Sequence, residues 1–216
     1  MVKACKWDNL SFFTPILEVN QITMRKKQTT TSGLEWNTMI GLSARLKQDE
    51  LYRDYLLITL GCYFGLRISD LLSIRWDDII DKTELVLIEQ KTKKSRKITF
   101  NPNVIQAVNF CSNELKLKNQ LNNNDFVFSN RWNEKISVSF INKRLKYIFI
   151  RYNVKVQNAS SHILRKTFGK RIYEADNKSE RSLIYLSDIF SHSSISTTRR
   201  YIGITQEAIA DMYMSL

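Results

Sequence analysis

Both histidines of this chain stand close to arginines in its C-terminal third. His162 precedes Arg165 by three residues, and His192 precedes Tyr201 by nine, with two further arginines directly before the tyrosine. Histidine shares a proton readily near neutral pH, and an arginine guanidinium binds phosphate through two parallel hydrogen bonds. These residue types therefore indicate phosphate chemistry.

Cleavage of a phosphodiester without a metal ion requires three kinds of group. It needs a nucleophile, cations that hold the nonbridging oxygens, and an acid for the leaving oxygen. Arg67 and Arg165 can clamp one phosphate through their planar guanidinium groups. Tyr201 is the candidate nucleophile, and a lysine at the tip of a predicted hairpin is the candidate acid.

The charge balance favours a polyanionic partner. The 216 residues include 33 Lys and Arg against 21 Asp and Glu, which gives a formal net charge of +12. Nucleic acid is the partner that such a charge suggests, although a basic ribosomal or housekeeping protein has a similar balance. A hydrophobic content of 43% at this length allows one compact core.

The cysteines and the N-terminus indicate the compartment. Cys5, Cys62 and Cys111 are odd in number and far apart, which fits neither a disulfide framework nor a zinc site. No acidic cluster accompanies the histidines, so a metal-dependent nuclease is disfavoured, and we expect no metal or cofactor. No signal peptide and no apolar run of about 18 residues is present. We therefore expect a soluble, cytoplasmic protein with no membrane partner.

Helical periodicity dominates the chain and predicts a mainly α fold. The predicted helices are an amphipathic one over 34–46, a buried one over 51–64, a short one after Gly65, one that starts at Asn101-Pro102, one around 141–149, one that carries His162 and Arg165, one over about 180–190, and a last one over 205–216.

A small sheet is predicted between the third and fourth helices. Residues 84–90 and 96–100 form a hairpin whose tip, residues 92–95, is rich in lysine. Residues 126–128 are expected to add a third strand. The predicted fold is therefore α+β, mainly α with a small antiparallel three-stranded sheet. Residues 1–32 are interpreted as an N-terminal arm or linker.

Three segments resemble the motifs of the tyrosine recombinases, the phage integrase family. The segment GLRISDLL (65–72) looks like the box of the first arginine, SHILRKTF (161–168) resembles the His-x-x-Arg box, and 190–201 resembles the final box. Each motif alone is weak, but three in this order, with a lysine-bearing hairpin between the first two, are specific. The resemblance covers about residues 34–216 and implies the catalytic core of that family, so that 33–216 is expected to be the catalytic DNA breaking-rejoining domain.

The resemblance implies a role for each residue. Arg67 and Arg165 hold the scissile phosphate, His162 accepts a proton, and His192 donates to a phosphate oxygen. Tyr201 attacks and leaves a 3′-phosphotyrosine and a free 5′-hydroxyl. The covalent adduct stores the bond energy, so neither ATP nor metal is required.

The family places its acidic lysine in the hairpin. Lys91 lies 24 residues after Arg67, at the predicted end of the first strand, while Lys93 and Lys94 are close enough for a register error to exchange them. Lys91 is thus the candidate acid, with Lys93 as the alternative. The predicted DNA contacts are Lys93, Lys94, Lys97, Lys166, Arg199 and Arg200.

Several of these residues could have a purely structural role instead of a catalytic one. Arg67 could pair with Asp70 on a helix surface, and His162 could cap a helix. Tyr201 is one of nine tyrosines, most of which are expected to pack. Only if all of these interpretations hold together does the predicted chemistry fail.

Two departures from the family pattern stand out. Phe190-Ser191-His192 replaces the usual Leu-Gly-His, which affects the turn that presents His192. In addition, some 33 residues before Leu34 are too few for the separate N-terminal helical domain of most phage-type integrases. The chain is therefore either a trimmed catalytic fragment or similar to short single-domain members such as the fimbrial-switch invertases.

The leading hypothesis is a site-specific recombinase that acts on double-stranded DNA. The alternatives are a non-catalytic DNA-binding protein of the same fold and a relaxing enzyme similar to type IB topoisomerases. The resemblance further implies a DNA-bound tetramer in which the apolar stripe of residues 205–216 docks on a neighbour, with docking on its own core as the alternative. Accessory DNA-bending proteins are further implied partners. The target sequence, and the choice among integration, excision and inversion, stay open.

Overall fold

A computed structural model of the chain describes residues 32–130, 132–204 and 214. The helices are α1 (Trp36–Gln48), α2 (Tyr52–Phe64), α3 (Ile68–Leu71), α4 (Pro102–Leu117), α5 (Val138–Arg151), α6 (His162–Ala175), α7 (Glu180–Phe190) and α8 (Ile195–Ile202), with a 3₁₀ turn at Trp76–Asp78 and strands β1 (Glu84–Ile88) and β2 (Ser95–Thr99). The predicted arm, apart from residue 32, and nearly all of the predicted last helix lie outside the described residues.

Helix α2 lies at the centre of the main core. Leu56, Leu57 and Ile58 follow one another in sequence and all have 0% exposure, so the helix is buried on more than one side. Helices α1, α4 and α6 pack against it. Burial of each such side chain contributes about 1.5–3 kcal/mol. The predicted buried helix over 51–64 is therefore confirmed.

A second, smaller apolar cluster joins α7 and α8. Its buried residues are Leu183, Leu186, Phe190 and Ile202, and it is separate from the main core. Phe168 of α6 packs against it, so α6 contacts both clusters. This small cluster carries the segment from His192 to Tyr201.

Local sequence signals set several helix ends. Asn101 caps α4 by accepting from the backbone N–H of Asn103 at 2.9 Å, and Pro102 follows in the first turn. Gly65 ends α2 with φ +57°, a conformation that favours glycine. A side chain at Gly65 would also collide with the ring of Phe168. Glycine at this position therefore lets α6 approach the end of α2 closely.

The sheet in the described residues has two strands rather than the predicted three. Strands β1 and β2 form an antiparallel hairpin in which Val86 faces Lys97. The segment 126–128 instead runs beside the chain that follows α3. Phe126 forms an isolated bridge with Arg75, and the N–H of Val127 donates to the carbonyl of Ile74 at 3.0 Å. The third-strand prediction was wrong because these backbone groups pair outside the hairpin.

Candidate active site

Two helix ends meet in the site, the C-terminus of α2 at Phe64 and that of α7 at Phe190. The last carbonyl groups of a helix have no partner inside it and carry partial negative charge, so they attract cations. Arg165, in the first turn of α6, donates to the carbonyl oxygens of Gly65 and Phe190, each at 3.0 Å. Burial lowers the pKa of Arg165 to about 10, which leaves it charged at neutral pH. Its guanidinium therefore joins the two helix ends.

Arg67 lies beside Arg165. Nη2 of Arg67 donates to the same Phe190 oxygen at 3.1 Å, and Nη1 pairs with Oε2 of Glu89 at 2.6 Å. Two guanidinium groups that share one carbonyl oxygen lie side by side, as a clamp on one phosphate requires. Arg67 thus pairs with Glu89, whereas Oδ1 of Asp70 accepts from the backbone N–H of Gln90 at 2.9 Å.

Tyr201 lies in the last turn of α8, within the small cluster. Its ring makes edge contacts with the rings of His192 and Phe190, at centroid distances of 5.2 and 5.4 Å. Nζ of Lys166 lies 5.1 Å from the centroid of the same ring. Ser194 caps the N-terminus of α8, and its hydroxyl oxygen accepts from a backbone N–H of the first turn. The structure therefore holds the tyrosine ring on three sides.

The charges of the arginine pair reach Tyr201. Burial raises the pKa of the Tyr201 phenol above its ordinary value, while the nearby guanidinium groups of Arg165 and Arg67 oppose that shift. The phenol is thus protonated at neutral pH, and it would have to give up its proton to act as a nucleophile. A reaction of that kind would consequently need a proton acceptor.

His192 is presented by the turn that ends α7. Its backbone N–H donates to the carbonyl of Ser187 at 2.9 Å, and its Nδ1 lies 2.9 Å from Oγ1 of the buried Thr198. If the Thr198 hydroxyl donates to Nδ1, then Nε2 carries the hydrogen and can donate to a ligand. Burial, followed by the charges of Arg165 and Arg67, lowers the pKa of His192.

Ser191 occupies the position where the family pattern has glycine. It adopts a left-handed conformation, with φ 51° and ψ 47°, and its N–H donates to the carbonyl of Asp188. This conformation costs a non-glycine residue about 1–2 kcal/mol. The turn before His192 therefore forms with serine, but under local strain.

His162 is the first residue of α6 and follows the N-cap residue Ser161. Partial burial of the ring lowers its pKa, and the charges of Lys166 and Arg165 lower it further. An imidazole with a lowered pKa is neutral near pH 7 and can accept a proton. His162 is exposed at the start of α6 and has the protonation state of a proton acceptor.

Comparison with known proteins agrees with this geometry. Residues 35–207 match the phage integrase family. The chain belongs to that family. It is 31% identical over 164 residues to the "Probable integrase/recombinase YoeC" of Bacillus subtilis (strain 168), covering 74% of this chain and 83% of YoeC. It is 30% identical over 161 residues to the tyrosine recombinase XerC of Caldanaerobacter subterraneus subsp. tengcongensis, covering 74% of this chain and 43% of XerC.

Solved structures share the fold of this integrase-family chain. The XerA recombinase superposes with a TM-score of 0.64 at 19% identity, over 87% of this chain and 65% of XerA. The Tn1549 transposon integrase superposes with a TM-score of 0.65 at 17% identity, over 88% of this chain and 68% of the integrase chain. The predictions of family, of function class and of a mainly α catalytic core are confirmed, apart from the third strand.

The lysines of the hairpin lie on the surface of this integrase-family chain. Lys91 is exposed in the turn, beyond the end of β1 at Ile88 rather than at the strand end. Lys93 and Lys94 are also exposed, and Lys93 has φ +58°. Lys97 faces outward and pairs with Glu84 at 2.7 Å. Lys91 thus lies in the turn, outside the paired residues of the two strands.

The remaining predicted DNA contacts fall in two environments. Arg199 and Arg200 are exposed on α8. Lys166 is 7% exposed and lies against the Tyr201 ring. The two arginines are therefore open to solvent, whereas Lys166 is buried against the tyrosine ring.

Glu89 and Arg96 belong to the site, although the sequence did not single them out. Glu89 is 2% exposed, and Nη1 of Arg96 pairs with its Oε1 at 3.4 Å, while Nη2 donates to the carbonyl of Phe64 at 2.6 Å. Arg96 shares the inward face of β2 with Ile98. A charged residue at an inward position needs a buried partner, which was the available signal.

Among the residues that the structure describes, no group of three or more His, Cys, Asp or Glu side chains could hold a metal ion. Of the helices in those same stretches, none has the length and apolar character needed to cross a membrane.

Proposed function

We propose that this chain is a site-specific recombinase that cleaves and rejoins double-stranded DNA through Tyr201. The observation that carries the proposal is the shared Phe190 carbonyl, which places two guanidinium groups side by side while Tyr201 packs on the ring of the same residue. A phosphate held by that pair would lie close to the phenol. Electrostatic stabilisation of this kind is the largest single contribution in many enzymes.

The reaction assigns one step to each group. The Tyr201 oxygen attacks phosphorus and passes its proton to His162, while Arg67, Arg165 and His192 hold the nonbridging oxygens. The 5′-oxygen leaves with a proton from Lys91, and a 3′-phosphotyrosine remains. The phosphodiester is exchanged for another ester, so the reverse reaction rejoins the strand without ATP or metal.

Double-stranded DNA as the substrate is supported by the charge of +12 and by the named relatives. XerH is described as bound to its difH substrate, and the Tn1549 integrase in complex with transposon right end DNA. The exposed Lys93, Lys94 and Lys97 with Arg199 and Arg200 are the proposed backbone contacts, and phosphate neutralisation makes such binding sensitive to salt.

The wider organisation is proposed on the same basis. We assign the catalytic domain to residues 33–216, in a cytoplasmic protein that assembles as a tetramer on DNA. Residues 205–216 would dock on the neighbouring subunit, and accessory DNA-bending proteins would assist. Deletion of 206–216 is expected to weaken cooperative assembly on DNA in a gel-shift assay. Unchanged assembly would contradict the exchange of this segment.

The experiment that tests the activity is capture of an SDS-resistant adduct without divalent metal. The DNA is a set of duplexes tiled across the region around the gene, together with a random-sequence pool. We expect an adduct with the unaltered chain and none with Tyr201→Phe. An adduct that survives in Tyr201→Phe would identify another nucleophile. Tight binding with no adduct would favour the non-catalytic DNA-binding alternative.

A further inference from the structure

We propose that Glu89 is a positioning residue that fixes the turn carrying Lys91 against the arginine pair. The inference rests on the proposed function, in which Lys91 donates a proton to the 5′-oxygen. An exposed lysine has a long flexible side chain, and a general acid must lie within hydrogen-bond reach of its target. Some part of the turn must therefore be held in place.

Glu89 contacts the clamp and the turn with the same oxygen. Its Oε2 accepts from Nη1 of Arg67 at 2.6 Å and from Oγ1 of Thr92 at 2.6 Å. Thr92 directly follows Lys91 in sequence, so one buried carboxylate touches both groups. Hydrogen bonds to an ionised carboxylate are about twice as strong as neutral ones.

The carboxylate is ionised where it lies. Burial would raise the pKa of Glu89, but the hydrogen bonds from Thr92 and Arg67 and the charges of Arg67 and Arg96 outweigh that effect and lower it. The residue is 2% exposed, so solvent screens these contacts weakly. A charged Glu89 at neutral pH can therefore hold both partners.

The backbone of the turn is attached as well. The N–H of Glu89 donates to the carbonyl of Lys94 at 3.0 Å, and the N–H of Lys93 donates to the carbonyl of Glu89 at 2.9 Å. Gln90 donates from its backbone to Asp70 Oδ1 at 2.9 Å, which ties the turn to α3. The residues on both sides of Lys91 are therefore anchored, while its own side chain is free to reach outward.

A purely structural role for Glu89 is the competing explanation. In that case the carboxylate only neutralises Arg67 and Arg96, and its removal would disturb the phosphate clamp. Thr92 separates the two explanations, because its hydroxyl contacts the carboxylate without contacting either arginine. Thr92→Val removes the link from Glu89 to the turn, together with a longer hydrogen bond in which the Thr92 hydroxyl accepts from the backbone N–H of Lys94 at 3.4 Å, and Thr92→Ser keeps both.

The test uses a duplex that forms the adduct with the unaltered chain, made in two forms. In one form sulfur replaces the 5′-bridging oxygen at the scissile phosphate. A thiolate is a much better leaving group than an alkoxide and needs no acid. Loss of the acid should therefore be repaired by sulfur, whereas loss of the clamp in Arg67→Ala should not.

We expect Lys91→Ala to cleave the oxygen duplex about 10²- to 10⁴-fold more slowly and the sulfur duplex at nearly the normal rate. Glu89→Gln should lose about 10- to 100-fold on oxygen, because misplacement of a catalytic group by about 1 Å has this effect, and should be restored by sulfur. Thr92→Val should lose about 10-fold and follow the same pattern. Thr92→Ser should cleave both forms normally.

Each of the other outcomes contradicts a specific part of the proposal. If Glu89→Gln and Thr92→Val stay slow on sulfur, or lose nothing on oxygen, Glu89 does not act through Lys91. If sulfur fails to restore Lys91→Ala, Lys91 is not the acid and the inference falls with it. If the unaltered chain forms no adduct, the proposed function itself fails. Thermal unfolding of each variant controls for folding, and Thr92→Val remains informative if Glu89→Gln does not fold.

Discussion

Helix α2 is surrounded by apolar residues of the main core, whereas the cluster that α7 and α8 share has four buried apolar residues among those that the structure describes. The main core carries Arg67, which follows the C-terminus of α2, together with the neighbouring Arg165. The small cluster presents His192 and Tyr201. Regions with little buried apolar surface open more readily than a core does. The cationic half of the site is thus built on the more stable region, and the nucleophile on the less stable one.

Arginines join the two regions, in addition to the packing of α6 against the small cluster. Arg165 contacts the carbonyls of Gly65 and Phe190, and Arg96 contacts those of Phe64 and Ile189. Arg165, which would bind phosphate, therefore also helps to hold the small cluster against the main core. Binding and assembly of the site are coupled through these contacts.

Loss of the Arg165 contacts between the two regions is expected to have the largest effect. Arg165→Lys keeps a positive charge but loses the planar pair of donors to Gly65 and Phe190. We expect cleavage to fall about 10²- to 10³-fold and the free energy of unfolding by about 1–3 kcal/mol. Adduct formation rates and urea unfolding measure the two effects. Full activity of Arg165→Lys would show that the bidentate contact is dispensable.

A matched pair of cavity variants compares the two clusters directly. Leu56 in α2 and Leu186 in α7 both have 0% exposure. Leu56→Ala should lower the free energy of unfolding of the whole chain by about 2–5 kcal/mol. Leu186→Ala should instead reduce amide-exchange protection mainly in 180–202 and slow cleavage. If both variants lower the free energy of global unfolding equally and give the same amide-exchange protection in 180–202, the two clusters form one cooperative unit.

Acid should weaken the small cluster before the main core. The pKa of His192 is lowered in the folded chain, first by burial and then by Arg165 and Arg67. The unfolded chain binds a proton near pH 6.5, so the contribution of neutral His192 is present above that pH and is lost as the pH falls below it. We expect stability to decline from pH 7 towards pH 5.

His192→Asn supplies the control for this pH effect, because asparagine does not titrate in that range. The stability of His192→Asn should decline less on acidification than that of the unaltered chain. A remainder is expected from His162, whose pKa is lowered in the same direction. An identical pH dependence in both proteins, measured by urea unfolding, would assign the effect elsewhere.

The smallest expected effect comes from the strained turn. Ser191→Gly removes the cost of a left-handed serine and should stabilise the α7–α8 region by about 1 kcal/mol. Ser191→Ala keeps that cost and is the matched control. Cleavage by Ser191→Gly should stay near normal, since His192 keeps its backbone bond to Ser187. Greater stability of Ser191→Ala than of Ser191→Gly would contradict the strain.

Periodicity and motifs predicted most of the fold and the main residues of the site. The buried helix over 51–64, the start of α4 at Asn101-Pro102 and the hairpin follow from local patterns that the tertiary structure supports. The motif order brought Arg67, Arg165 and Tyr201 together before any geometry was known. These features are encoded locally or by spacing along the chain.

The features that the sequence did not reveal depend on distant partners. Helix α8 was not predicted, because Ile195–Ile202 is mostly polar and is short for a periodic signal. The third strand failed because Phe126 pairs with Arg75 instead of the hairpin. Glu89, just after β1, pairs with Arg96 of β2. The inward position of Arg96 indicated a buried partner but did not identify Glu89 as that partner.

The position of the Phe190 carbonyl also limits where residues can be inserted in the chain. A helix turns by about 100° per residue, so one residue inserted within α7 would rotate its end and withdraw this oxygen from both guanidinium groups at once. Insertions in the loop 176–179, before the helix begins, would leave its end in place. We therefore expect length variation among relatives to accumulate in that loop, while the helix from Glu180 to Phe190 keeps its length.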